Sequence, residues 1–137
     1  MSARMMYVYV AGPLSDMPPQ YLANVAAMTA ISRTLIELEF CPINPAADML
    51  EGLMAAAPLT LEQYQRRSMD LLRLLGALQG QSADMLERGR AAVFVVATLH
   101  RNGSVSGGVA AEIVEAENLG IPVVHSLGEL LALRDEG

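Results

Sequence analysis

The strongest constraint on this chain is the alternation of short, wholly apolar runs with longer segments of helical spacing. Met5–Ala11 (MMYVYVA), Phe40–Ile43 (FCPI), Ala91–Ala97 (AAVFVVA) and Ile121–Val124 (IPVV) are rich in β-branched or aromatic residues and carry no charge. Runs of that length and composition read as strands buried on both faces. Between them lie helical patterns. Leu22, Val25, Met28, Ile31, Leu35 and Leu38 recur at helical spacing within Tyr21–Glu39. A second helix opens at Thr60, an N-cap residue with Gln63 at the capping-box position, and Leu71, Leu72, Leu74, Leu75 and Leu78 supply its apolar side. Ala46–Pro58 reads as a loop with one helical turn, and Ser82–Arg88 as a short helix. Gly108–Leu119 is a further helix, closed by Gly120 as the residue after its C-cap, and Leu127–Leu133 is the last.

Strands separated by helices, each strand apolar on both sides, predict a parallel sheet with helices on both faces. The expected architecture is a single-domain, doubly wound α/β fold of the flavodoxin or Rossmann type. It has four to five strands and spans residues 1–137. In such sheets ligands bind beyond the carboxyl ends of the strands. The loops after Ala11, Ile43, Ala97 and Val124 are therefore where chemistry is expected.

Charge and cysteine content narrow the function classes. A net charge of −6 argues against a protein that coats a nucleic acid polymer or an anionic membrane, since both need a basic face. A small anionic ligand stays admissible, because a few backbone N–H groups suffice to hold one. Cys41 is the only cysteine and lies in an apolar run, which reads as a core thiol in a reducing, cytoplasmic setting. Gly12 and Pro13 interrupt the first apolar run, so no signal-type segment is expected there, and no stretch approaches a membrane span. His100 and His125 are isolated, so no metal site is expected.

The loop after the third strand is the most informative. Ser106-Gly107-Gly108-Val109-Ala110-Ala111-Glu112 puts glycines at a strand-to-helix junction, where backbone amides reach an anion at the helix N-terminus. Glu112 follows among Val109, Ile113 and Ala116. A carboxylate on an apolar stretch is costly unless it is used or paired, although a solvated position beside Glu115 explains it equally well. Tyr9, at the end of the first strand, either projects into the site or is an aromatic packed in a strand.

In combination these pieces resemble the nucleoside 2-deoxyribosyltransferase-like superfamily, which includes the N-glycosidases of nucleoside 5′-monophosphates. The matching segments are Tyr9-Val10-Ala11-Gly12-Pro13, Pro42-Ile43-Asn44-Pro45, an Asp on the following helix, Val93-Phe94-Val95-Val96, and Ser106-x-Gly108-Val109-x-x-Glu112-x-x-x-Ala116 running into Gly120-Ile121-Pro122-Val123. The resemblance implies that Glu112 is a nucleophile attacking the anomeric carbon, that Tyr9 holds its carboxylate, and that an aspartate assists the departing base. Two aspartates compete for that last role. Asp70 has the family's local context, Arg67-Ser68-Met69-Asp70-Leu71-Leu72, and is favoured; Asp84 has the family's spacing to the Ala91–Ala97 strand. Ala92 stands where the family often has a further Asp. Ser106, with the amides of Gly107 and Gly108, implies a cradle for a 5′-phosphate. Gly12, Pro13 and Asn44 complete the expected binding residues. No basic residue stands in Leu14–Asp16; Arg101 is either a substitute or a solvated loop arginine.

The implied activity is cleavage of the base–sugar bond of a nucleoside 5′-monophosphate or nucleoside, without a cofactor. A base-exchanging deoxyribosyltransferase and a nucleotide-binding or sensing module without catalysis are the alternatives. The implied assembly is a homodimer or higher homo-oligomer, with the Met- and Ala-rich Met49–Ala57 as either interface or core filling.

Overall fold

The computed structural model describes residues 6–13, 18–47, 60–79, 90–97 and 106–136. Asp84, Arg101, Leu14–Asp16, Ser82–Arg88 and Met49–Ala57 lie outside them. The described residues form strands β1 (Met6–Ala11), β2 (Cys41–Ile43), β3 (Arg90–Val95) and β4 (Val123–Val124). The helices are α1 (Pro18–Glu37), α2 (Leu61–Gln79), α3 (Gly107–Asn118) and α4 (Leu127–Glu136), with one 3-10 turn at Pro45–Ala47. The strands make one parallel sheet in the order β2-β1-β3-β4. This is the expected doubly wound α/β architecture.

Alternation along the strands divides the core in two. Met6, Val8 and Val10 of β1, with Ala92 and Phe94 of β3, pack against Met28 and Leu35 of α1 and Leu130 of α4. Tyr9 and Ala11 of β1, with Ala91, Val93 and Val95 of β3, pack on the other face against Leu72 and Leu75 of α2 and Val109 and Ala116 of α3. Successive strand residues point to opposite faces, so a strand covered on both sides must be apolar throughout. The chain steps from β1 to β2 in one direction and from β2 past β1 to β3 in the other. Right-handed crossovers then put α1 on one face and α2 and α3 on the opposite one. The direction of winding reverses between β1 and β3, and the crevice at their carboxyl ends is the switch point of this fold.

Local chemistry accounts for the helix limits. The capping box at Thr60 forms in both directions, Gln63 N–H donating to Thr60 Oγ1 (3.2 Å) and Thr60 N–H to Gln63 Oε1 (2.8 Å). Both α1 and α3 end in Schellman motifs. Phe40 N donates to Leu35 O and Glu39 N to Ile36 O; Ile121 N donates to Ala116 O and Gly120 N to Glu117 O. The left-handed residue is Gly120 (φ 72°) in one and Glu39 (φ 69°) in the other.

These motifs explain several departures from the sequence expectations. Phe40 belongs to the turn and not to β2. Ile121 and Pro122 precede β4, which keeps only Val123 and Val124, although Pro122 O still accepts from Val93 N. α1 starts at Pro18, since prolines suit a first turn whose N–H groups need no helical partner. α4 runs on to Glu136. Leu22 and Leu74, expected on apolar faces, are exposed, because each lies about a third of a turn away from the buried stripe of its helix. Among the described residues no helix is long and apolar enough to cross a membrane.

Candidate active site

Two side chains 103 residues apart meet at the switch point. The Tyr9 hydroxyl donates to Glu112 Oε2, and both residues are buried, at 0% and 9% exposure. Tyr9 occupies the sheet face that α3 covers, two residues before the end of β1 and paired with Val93 of β3. Glu112 reaches it because α3 buries one stripe, Val109, Glu112 and Ala116. The solvated alternative for Glu112 is thereby replaced by a buried one, and its neighbour Glu115 takes the more exposed position, paired with Arg73.

Burial dominates the electrostatics of this carboxyl. Desolvation disfavours its anion and pushes the pKa from 4.5 up to about 7, against the lowering effect of the Tyr9 hydroxyl. An acid poised near neutrality inside a crevice is the kind of group that enzymes use for proton transfer or, ionised, for attack on carbon.

Around the pair stand the other carboxyl-edge residues. Ser106 is the N-cap of α3, its Oγ accepting from Val109 N (3.3 Å), and it is buried. A serine hydroxyl that accepts can also donate its own proton. Gly107 and Gly108 form the first turn of α3, whose amides have no intrahelical acceptor, and a Cβ on either glycine would meet no described atom within 4 Å. Gly12 and Pro13 are buried just past β1. A Cβ on Gly12 would come within 2.9 Å of Met28 Sδ, so the absence of a side chain there lets α1 close on the loop. Asn44, after β2, accepts from Ala46 N (3.0 Å) and so shapes the turn that follows.

Asp70 is placed differently. It lies on the outer side of α2, 61% exposed, and accepts from Arg73 (3.2 Å), which also donates to Glu115 of α3 (3.2 Å). Its carboxylate is part of a surface ion-pair network across the two helices rather than of the buried pair. Asp84 lies outside the described residues. Among the described residues no group of three His, Cys, Asp or Glu side chains could hold a metal ion.

Comparison of the chain with family models, curated proteins and solved structures returns no match. The site therefore stands on its own geometry. Two further buried polar groups were not singled out from the sequence. Asn24 is buried on α1, one turn closer to the carboxyl edge than Met28. Tyr64 of α2 has a buried hydroxyl that meets no hydrogen-bond partner among the described residues. An Asn at a core-facing position of α1 is a signal that could have found Asn24. Tyr64 carries no such signal, since in the sequence it is an ordinary helix aromatic.

Proposed function

We propose that this chain is an N-glycosidase that cleaves the base–sugar bond of a nucleoside 5′-monophosphate. The observation that carries the reading is the buried Tyr9–Glu112 pair at the crevice between β1 and β3, beside the glycine start of α3. In its ionised form the Glu112 carboxylate attacks the anomeric carbon. The C–N bond breaks with its electrons leaving on the base, which takes a proton from an acid. Water then displaces Glu112 from the glycosyl ester, releasing the sugar phosphate. Tyr9 holds the attacking oxygen in one orientation. The α3 amides and the Ser106 hydroxyl are donors for the phosphate.

The acid that serves the base is Asp70 or Asp84. The pairing of Asp70 with Arg73 gives that side chain a role between helices and brings Asp84 level with it as a candidate. We place the enzyme in a reducing, cytoplasmic compartment on its single cysteine, as a homodimer or higher homo-oligomer. Exposed Leu74 of α2 and Val114 of α3 are apolar side chains that a subunit contact would cover.

The test is release of free base from each nucleoside and each 5′-monophosphate. Glu112→Ala is expected to abolish it with folding retained, and residual turnover above a few per cent would refute the nucleophile. Whichever of Asp70→Asn and Asp84→Asn serves the base should lose roughly 10²–10⁴-fold, and the other should be nearly silent. Ser106→Asp keeps an N-cap, since Asp caps as well as Ser, but sets a carboxylate against the phosphate. It should depress monophosphate cleavage far more than nucleoside cleavage. Adding a second base to the reaction separates hydrolysis from base exchange.

A further inference from the structure

Glu112 is held on the side of the sheet whose core is built from Ala11, Val93, Val95, Val109 and Leu72, and the Tyr9 hydroxyl is its hydrogen-bond partner there. A phenol hydrogen bond supports the charge of an ionised carboxylate but does not cancel it. The chain has no lysine, so its positive charge rests on arginines and two histidines. The described arginines are engaged or exposed elsewhere. Arg73 pairs with Asp70 and Glu115, Arg33 pairs with Glu37, and Arg67 lies over the Tyr64 ring. Arg90 and Arg134 donate to helix-end carbonyls. Arg66 and His125 are exposed. Among the described residues, then, no cation pairs with Glu112; Arg4, Arg88, His100 and Arg101 lie outside them.

A buried carboxylate without a countercharge is costly, and burial pushes the Glu112 carboxyl up to about 7. Yet the anion is the form that attacks carbon. Positive charge carried into the crevice by the ligand stabilises that reactive form. A base joined to the sugar through a quaternary ring nitrogen brings such a charge one bond from the carbon under attack. It also leaves as a neutral ring and needs no proton from an acid. The carboxylate that the sequence favoured as that acid, Asp70, is turned out to Arg73 on the surface of α2.

We propose that the crevice also takes 5′-nucleotides whose base is a cationic ring bonded to the sugar through a quaternary nitrogen, such as a pyridinium, with Glu112 as both countercharge and nucleophile. The proposal rests on the N-glycosidase reading above. One Glu112 oxygen forms a bond to C1′ while the C1′–N bond breaks. The electron pair of that bond stays on the ring nitrogen and neutralises it. Water then adds its hydroxyl to C1′, its proton passes to solvent, and Glu112 departs as the carboxylate. No acid, metal or redox partner enters the balance.

The experiment has two arms. Base release by the wild type is measured from nicotinamide mononucleotide and from the four common nucleoside 5′-monophosphates. Binding is measured by calorimetry at about pH 8, where Glu112 is ionised, with the carbocyclic analogue of nicotinamide mononucleotide, whose C–N bond does not break. The analogue is used in its pyridinium form and in its neutral dihydropyridine form, which share shape and phosphate and differ in ring charge. The wild type is expected to bind the pyridinium form roughly tenfold or more tightly than the neutral form. In Glu112→Gln, which keeps an oxygen for Tyr9, that preference is expected to fall close to one. Nicotinamide release by the wild type is expected alongside. No preference in the wild type, or the same preference in both proteins, overturns Glu112 as the countercharge. Cleavage of the common nucleotides without release of nicotinamide overturns this inference and leaves the proposed function standing. A wild type that cleaves none of these nucleotides overturns the proposed function, and this inference with it.

Discussion

At the scale of single residues, Glu112 sets a conflict between stability and chemistry. Its carboxyl titrates at 4.5 when unperturbed and at about 7 in the fold. Below pH 4.5 both states hold the proton and nothing is lost. Between the two values the folded state binds more protons than the unfolded one, so stability falls as pH rises through that window, reaching a cost of about 3 kcal/mol above pH 7. Glu112→Gln keeps an oxygen for Tyr9 and cannot ionise. Denaturant midpoints should therefore show the variant more stable than the wild type at pH 8 and equal to it near pH 4; an offset that does not change with pH would contradict the buried carboxyl. Activity carries the same pKa with the opposite sign of benefit, because attack requires the anion. The ratio kcat/KM is expected to climb with pH through about 7. Tyr9→Phe removes the interaction that favours the anion, so this limb should move to higher pH by roughly one to two units. A pH–rate profile checks both, and a limb that moves to lower pH or stays in place would show that Tyr9 does not support the charged form.

At the scale of elements, α1 and α3 end with the same hydrogen bonds but with different residues in the left-handed position. Glycine adopts that conformation without penalty, whereas a Cβ there costs about 1 kcal/mol. Glu39 is exposed and none of the described interactions depends on its side chain. Glu39→Gly is therefore expected to stabilise the chain by about 1 kcal/mol, and Gly120→Ala to destabilise it by a similar amount, both read from chemical unfolding. The same loss from the two substitutions would mean that Glu39 is held by something other than backbone geometry. Two arginines serve the opposite end of the sheet from the site. Arg90 donates to the Leu133 and Arg134 carbonyls at the end of α4, and Arg134 donates to Leu38 O at the end of α1 while stacking over Phe40. They satisfy helix-end carbonyls, a structural task separate from the crevice.

At the scale of the whole molecule, β1 and β3 are the centre of everything. They pair with each other over six residues, and each also pairs with an outer strand, β1 with β2 over three and β3 with β4 over two. The two halves of the core lie on opposite sides of them. Opening either strand exposes both halves, so their amides should exchange only through global unfolding, while those of β4 exchange through smaller openings. Native-state hydrogen exchange measures this directly, and β4 amides as slow as those of β3 would show that the edge is held more firmly than its pairing suggests. The Tyr9–Glu112 pair is anchored on the Tyr9 side, since Tyr9 is inside a strand paired on both edges, with Ile43 and with Val93.

The amino-acid sequence alone determined whatever depends on neighbours along the chain. Period and composition are local properties, so the buried strands, the helices, the capping box at Thr60, the C-terminal glycine at Gly120 and the doubly wound class were all legible. So was the glycine-rich helix start after Ser106, because glycine and serine at such a junction are local signals. The tertiary structure decided what depends on distance in space. Only the β1–β3 pairing and the packing of α3 onto the same face bring Tyr9 to Glu112, turning an ambiguous helix glutamate into a buried acid with a displaced pKa. Only the angular position of Asp70 on α2 gives it to Arg73 and the solvent, since helical spacing does not say which face a lone carboxylate takes. Tyr64 was illegible for the same reason: its hydroxyl meets no partner among the described residues, and which atoms surround it is decided by the fold.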